Sequence, residues 1–342
     1  MSNKLCPIDS TPANQFSPPM PTSIAPILIV AFNRPDFCEE VIKAVRLAKP
    51  QHLFLAVDGP RAESPSDEIN CAKTKATVKL IDWPCEVRTF FRETNRSCKY
   101  APPEAITWFF SQVPAGIILE DDCVPTLDFL LFASQLLQRY SDEETIGMIT
   151  GNNHFGFQST AKESYHFSAY STIWGWASWR RAWELYDVDM KPYICDLASI
   201  RARAGHSERF RAYWWRYVEA VLNGMNTWDV QWSVALLANR KLIIRPKCNL
   251  VANIGFTPDS THTSGYEYGA ERYVRTGRLD FPLVHPIDRK IDDLADLKLE
   301  KSVVSYWRRG LTFIGSRCGL VGRLIASIAA GIEKTTALRS VF

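Results

Sequence analysis

Between Pro26 and Leu119 short apolar runs alternate with helix-like stretches, and this alternation constrains the fold more than any other feature of the chain. The apolar runs are Ile27 to Phe32, His52 to Val57, Val87 to Phe91 and Ile117 to Leu119; between them lie Phe37 to Lys49, Asp67 to Ile81 and Glu104 to Phe110. Such alternation predicts an α/β domain with a Rossmann-like, mainly parallel central sheet, in which ligands sit beyond the carboxyl ends of the strands. Three of those ends carry polar groups: Asn33-Arg34-Pro35 after the first strand, Asp58-Gly59 after the second, and Glu120-Asp121-Asp122 after the fourth. One crevice can hold all three.

The acid triplet says most about chemistry. Two carboxylates about 4 Å apart repel by roughly 4 kcal/mol at an effective dielectric near 20, so a cluster that stays ionised calls for a cation. Carboxylate oxygens suit Mg²⁺ or Mn²⁺, which usually take only one or two protein carboxylates and leave positions for water and substrate phosphates. Strand alternation places Glu120 and Asp122 on one face and Asp121 on the other. The competing reading is a solvated acidic loop after an edge strand.

Composition narrows the class. A hydrophobic content of 46% with 23% charged residues excludes disorder, and a net charge of +3 is too small to imply nucleic acid. The 9 cysteines are scattered without zinc-type pairing, which favours a reducing compartment. The N-terminus lacks a signal-peptide pattern, and no apolar run reaches the roughly 18 residues of a spanning helix, so a cytoplasmic protein is expected. Residues 1–25, rich in Pro, Ser, Thr and Asn, read as a loose leader.

From about Pro26 to His262 the chain resembles the GT-A glycosyltransferases, and among them the inverting group of N-acetylglucosaminyltransferase I and related bacterial sugar transferases. The matching segments, in order, are Ile-Val-Ala-Phe-Asn-Arg-Pro on the first strand, Ala-Val-Asp-Gly on the second, and Ile-Leu-Glu-Asp-Asp-Cys on the acid-tipped strand. Then come Trp174-Gly175-Trp176, and Trp228-Asp229 followed by Ile244-Arg245-Pro246. The resemblance implies a nucleotide-sugar-binding half over 26–150 and an acceptor-binding and catalytic half of the same domain over 151–300; residues 301–342, past the resemblance, read as a basic amphipathic tail.

By the same resemblance, Asp122 binds the metal, Mn²⁺ or Mg²⁺, while Glu120 and Asp121 contact the donor, with Asn33 beside them. Arg34 would face the diphosphate, its fork matching phosphate oxygens, or else be a surface arginine opening a helix. Asp58 would accept a uracil N–H, or be an ordinary turn residue before Gly59. The family's histidine near the base is missing; Lys99 or Tyr100 fills that place, which leaves the nucleotide's identity open.

On the acceptor side stand Trp174, Gly175 and Trp228, since indoles offer flat apolar faces to sugars. Trp176, Trp179 and Trp183 recur at helical spacing and read better as a core-facing stripe. Asp229 opens an apolar stretch, Val230 to Leu237, and suits both a helix-capping acid and the general base. His262 either reaches the metal or diphosphate from a loop or is a surface residue.

The expected reaction is metal-dependent transfer of a sugar from a nucleoside diphosphate sugar, UDP-linked by expectation, to a hydroxyl of a glycan or lipid-linked glycan, with inversion. Surface polysaccharide or lipopolysaccharide synthesis is the setting the family suggests. Two rivals stand beside it: a sugar-1-phosphate nucleotidyltransferase, which would carry a Gly-rich loop where this chain has Ala31-Phe32-Asn33-Arg34-Pro35, and a non-catalytic glycan-binding protein. In the tail, Trp307, Leu311, Ile314, Cys318, Val321, Ile325, Ile328 and Ile332 would form one apolar stripe opposite Arg308, Arg309, Arg323 and Lys334. Such a helix either lies peripherally on an anionic membrane face or packs on protein.

Overall fold

The computed structural model of the protein describes residues 23–154, 162–256 and 271–317. Its strands are β1 (Ile27–Ala31), β2 (His52–Val57), β3 (Glu86–Phe91), β4 (Ala115–Glu120), β5 (Cys123–Pro125), β6 (Ile146–Thr150), β7 (Tyr165–Ser168), β8 (Trp176–Trp179), β9 (Leu242–Pro246) and β10 (Val251–Asn253). Its helices are α1 (Pro35–Arg46), α2 (Pro65–Ala76), α3 (Ser97–Gln112), α4 (Leu127–Arg139), α5 (Arg180–Trp183), α6 (Leu197–Arg203), α7 (Glu208–Leu222), α8 (Asp229–Ala238), α9 (Glu271–Val274) and α10 (Asp293–Arg317).

Eight strands form one sheet in the order β3-β2-β1-β4-β8-β6-β9-β7. The first four run parallel, and β8 pairs antiparallel with both β4 and β6. Strands of the parallel β/α half and of the aromatic half therefore lie side by side in one α/β sheet. From β1 the chain steps to β2 on one side and later to β4 on the other, so the strand order reverses at β1 and opens a crevice beyond its carboxyl end. The register pairs Val30 with Glu120 and Ala31 with Val57, which brings three strand ends level at that crevice.

The pattern of residues explains the layers. All five residues of β1 are buried; Ile27, Ile29 and Ala31 pack into one core and Leu28 and Val30 into the other, as expected of a strand covered on both faces. Helix α1 opens on Pro35 with Asp36 in its first turn and buries Cys38, Val41, Ile42 and Val45, a stripe at helical spacing.

Two expectations about local structure need correction. The stripe of Trp176, Trp179 and Trp183 is not one helix: Trp176 and Trp179 lie on β8 and enter opposite cores, and only Trp183 is helical. A spacing of three also puts two strand residues on opposite faces, and pairing with β4 decided the matter. All three indoles are nonetheless core residues. Helix α3 begins at Ser97, well ahead of Glu104, although Pro102 and Pro103 lie within it. Its first turn is held by tertiary partners: the backbone N–H groups of Arg96, Ser97 and Lys99 donate to Asp58, Asn95 and Asn226.

Candidate active site

The short ribbon of β5 and β10 closes the crevice from the side. Asn253 pairs with Cys123, and Ile254 N–H donates to the Asp122 carbonyl at 2.9 Å, so the chain after β10 is drawn against the acid triplet. Gly255 then lies so close that a Cβ there would overlap Asp122 Oδ2. No pattern in the sequence marks Gly255, because only the β5–β10 pairing creates the approach.

The resulting cavity measures about 430 Å³ and is lined by all three acids, Glu120, Asp121 and Asp122, together with Asp229. Trp174 and Trp228 form part of its wall. Trp228 is 3% exposed and stacks near Trp176, with ring centroids 6.2 Å apart, so it supports the wall more than it offers a free face.

The triplet is arranged differently from the alternating expectation. Strand β4 ends at Glu120, and the turn that follows brings Asp121 and Asp122 together on a single guanidinium. Arg34 Nη2 donates to Asp121 Oδ1, and Nη1 lies 2.9 Å from Asp122 Oδ2. Phe32 N–H donates to the second Asp121 oxygen at 3.3 Å. Arg34 is thus committed to the acids, and its place as the N-cap of α1 fixes it there. Burial opposes its charge, but Asp121 and Asp122 outweigh burial and raise its pKa.

One guanidinium does not satisfy four carboxylates. Burial, then Asp122, Asp229 and Asp121, push the Glu120 carboxyl well above its ordinary range. Burial likewise raises Asp121 to about 6 despite Arg34. Glu120 Oε1 is buried and has no hydrogen-bond partner. An orphaned carboxylate oxygen in an all-oxygen cluster fits a hard divalent cation, with Asp122 and Glu120 the residues placed to hold it. Among the described residues no group of three His, Cys, Asp or Glu encloses an ion, so the fit is to a cation that keeps waters and substrate oxygens as ligands. His262 lies outside the described residues.

Asp229 begins α8, in the first turn as the sequence predicts, and accepts a hydrogen bond from Thr227 Oγ1 through Oδ1. Its other oxygen has no hydrogen-bond partner among the described residues, and Asp229 lines the same cavity. Cys98 also lines the cavity, and burial, with Glu120 and Asp229 nearby, pushes its thiol up to about 12, so it is not a nucleophile at neutral pH.

Several other residues serve the frame. Asp58 lines the cavity, but its oxygens accept from Gly59 N–H, Arg96 N–H and the Asn95 amide, all within 3.0 Å; burial raises its pKa against those bonds. The carboxylate closes the loop before α3, and Asn95 is the residue that sequence reasoning missed there. Asn33 turns away and donates to Asp67 at 2.7 Å. Lys99 pairs with Asp189 at 3.1 Å and does not line the cavity. Gly175 has φ +71°, accepts from Gly151 N–H at 2.8 Å, and has no room for a Cβ beside Val251. Arg245, buried on β9, donates to the Asn152 and Tyr170 carbonyls at 2.7 and 2.8 Å; burial lowers its pKa to about 10.

Helix α10 starts at Asp293, ahead of the tail's expected start at 301, and packs against α7 and β7. The side chains of its last turns and everything after Arg317 lie outside the described residues, and the expected apolar stripe falls there. Among the described residues no helix is long and apolar enough to cross a membrane.

No family model matches the chain. Solved structures to which it is similar include HddC from Yersinia pseudotuberculosis, 9% identical over 46% of this chain and 78% of that one, with a TM-score of 0.28. A UDP-glucose pyrophosphorylase complexed with UDP-glucose is 10% identical over 65% of this chain and 90% of that one, TM-score 0.32. A 4-diphosphocytidyl-2C-methyl-D-erythritol synthase from Anaerococcus prevotii is 11% identical over 50% and 78%, TM-score 0.24.

Proposed function

We propose that this protein is a metal-dependent glycosyltransferase that moves a sugar from a nucleoside diphosphate sugar, with UDP the expected carrier, to an acceptor hydroxyl on a glycan or lipid-linked glycan. The observation that carries the proposal is the meeting of two sets of acids in one cavity: Glu120, Asp121 and Asp122 at the end of β4, and Asp229 at the start of α8.

The roles follow from surroundings. Asp122 and Glu120 would hold Mn²⁺ or Mg²⁺, and when bound such a cation neutralises charge on a departing diphosphate. Asp229 receives the acceptor proton on its unbonded oxygen while Thr227 fixes the other, and the acceptor oxygen attacks the anomeric carbon opposite the nucleotide. Configuration inverts, and no covalent intermediate is required. Trp174, packed edge-to-face against Phe256 with ring centroids 5.5 Å apart, gives the acceptor an apolar face.

A panel of sugar nucleotides tests this directly. Slow, metal-dependent release of nucleoside diphosphate from one of them is the expected result. Pyrophosphate-dependent exchange would indicate a nucleotidyltransferase instead, and silence across the panel would indicate a non-catalytic binding protein.

A further inference from the structure

The cavity's cations are unequally employed. Among the described residues that line it, only Arg34 and Arg61 carry a permanent positive charge. Arg34 spends both terminal nitrogens on Asp121 and Asp122. Arg61, three residues beyond Asp58 after β2, is used on one edge only. Its Nε lies 2.6 Å from Asp67 Oδ2 and its Nη2 3.0 Å from Asp67 Oδ1. The outer nitrogen, Nη1, has no hydrogen-bond partner among the described residues, and the side chain is 58% exposed.

The mounting is rigid. Asp67 is 1% exposed and also accepts from the Arg61 backbone N–H at 3.3 Å and from Asn33 at 2.7 Å, so one buried carboxylate ties the loops after β1 and β2 together. The guanidinium stands over the Phe32 ring, 5.5 Å from its centroid. The hydrogen bond from Arg61, opposed by burial and aided by Asn33, holds the Asp67 carboxyl well below its usual range, so this anchor stays charged throughout the neutral range. A guanidinium clamped side-on by a carboxylate still presents its far edge, with free N–H donors in fixed geometry, and that edge matches phosphoryl oxygens.

We infer that Arg61, not Arg34, is the anion anchor of this cavity, and that the group it takes is the diphosphate of the donor nucleotide. The inference rests on the nucleotide-sugar reading of the site and assigns a phosphate contact that the sequence had placed on Arg34. It also explains how an anionic donor enters a cavity lined by five carboxylates, Asp58, Glu120, Asp121, Asp122 and Asp229: the pair with Asp67 leaves one edge of a lining cation open while Arg34 quiets two of the acids.

Binding of UDP, inorganic pyrophosphate and uridine, each with Mg²⁺ present, is measured by calorimetry for the wild type, Arg61→Ala and Arg61→Lys. Arg61→Ala is expected to weaken UDP and pyrophosphate about 10-fold or more and to leave uridine within about 2-fold, the scale of one lost charge-assisted hydrogen bond. Arg61→Lys keeps a cation against Asp67, and so keeps the fold, but loses the planar fork; it should fall between. Unchanged UDP and pyrophosphate binding in both variants overturns the inference, as does an equal loss for uridine. Pyrophosphate binding that depends on Arg61 in a protein that binds no nucleotide keeps the anchor and removes the donor reading. A wild type that binds none of the three overturns both.

Discussion

The carboxylates buried on α10 and those at the end of β4 differ in how completely they are satisfied. On α10, Asp296 and Glu300 are 0% and 1% exposed. Asp296 accepts from Ser168 Oγ at 2.6 Å and Ala169 N–H at 2.8 Å. Glu300 accepts from Tyr170 OH, the backbone N–H and Nδ1 of His206, and the N–H and Oγ of Ser207. Nothing is left over for a ligand. At the end of β4, Glu120 has an orphaned oxygen and three acidic neighbours, and one arginine serves Asp121 and Asp122 together. A carboxylate whose hydrogen bonds are complete holds the fold, whereas one left short is poised for a cation or substrate. The α10 acids also steady the segment from Ser168 toward Trp174, so the satisfied cluster supports the wall of the unsatisfied one.

The contrast predicts a separation of activity from stability. Asp122→Ala should lower metal-dependent turnover by at least about 10³-fold while the melting temperature moves by less than about 4 °C, because it removes a ligand-binding charge from a self-repelling cluster. Turnover near the wild-type rate would erase the distinction. Glu300→Ala should do the reverse. It strands the Tyr170 hydroxyl and the His206 and Ser207 N–H groups, and the expected loss is about 3 kcal/mol in a urea titration, with donor binding retained.

Asp229→Asn tests the other wall of the cavity. Loss of a general base should reduce kcat by about 10²-fold with little change in donor affinity, read from steady-state kinetics beside a binding titration. A variant that turns over normally removes Asp229 from the chemistry and leaves it a helix-opening acid.

The smallest effect concerns pH. Burial opposes the Glu300 charge, but its five donors prevail and its pKa lies below the ordinary value, so its contribution is full above about pH 4.3 and fades as pH falls through the lowered value. The hydrogen bond to Glu300 raises His206, with Asp293 adding to it, so that contribution is full below about pH 6.5 and fades as pH rises through the raised value. Stability should therefore decline above neutrality by less than about 1 kcal/mol, since His206 is well exposed, and Glu300→Gln should flatten that decline. Denaturant melts between pH 5.5 and 8.5 would show it.

Much of the fold was legible because local patterns and global topology agree. The parallel half announces itself through apolar runs whose residues belong to two cores, as with Ile27 to Ala31, and the polar strand ends mark the crevice. What was not legible depends on contacts between distant segments. Trp176 and Trp179 read as helical until β4 supplied a strand partner. Asp121 and Asp122 read as opposed until a turn set both on Arg34. Arg61 and Asp67 lie in a stretch with no motif, six residues apart, and only the folded loop shows them gripping each other. Gly255 is required solely because β10 meets β5. Asn33 was placed by its position at a strand end and Lys99 as a substitute for the histidine missing from the resemblance, and their side chains found carboxylates elsewhere, Asp67 and Asp189.

On the proposed function, the β4 acids form a cation-dependent donor site. Turnover of the responsive sugar nucleotide, followed before and after excess EDTA and again after Mn²⁺ or Mg²⁺ is restored, tests it most directly. Loss and full recovery are expected in the wild type, with no recovery in Asp122→Ala; full activity in excess EDTA would rule out a cation at the β4 acids.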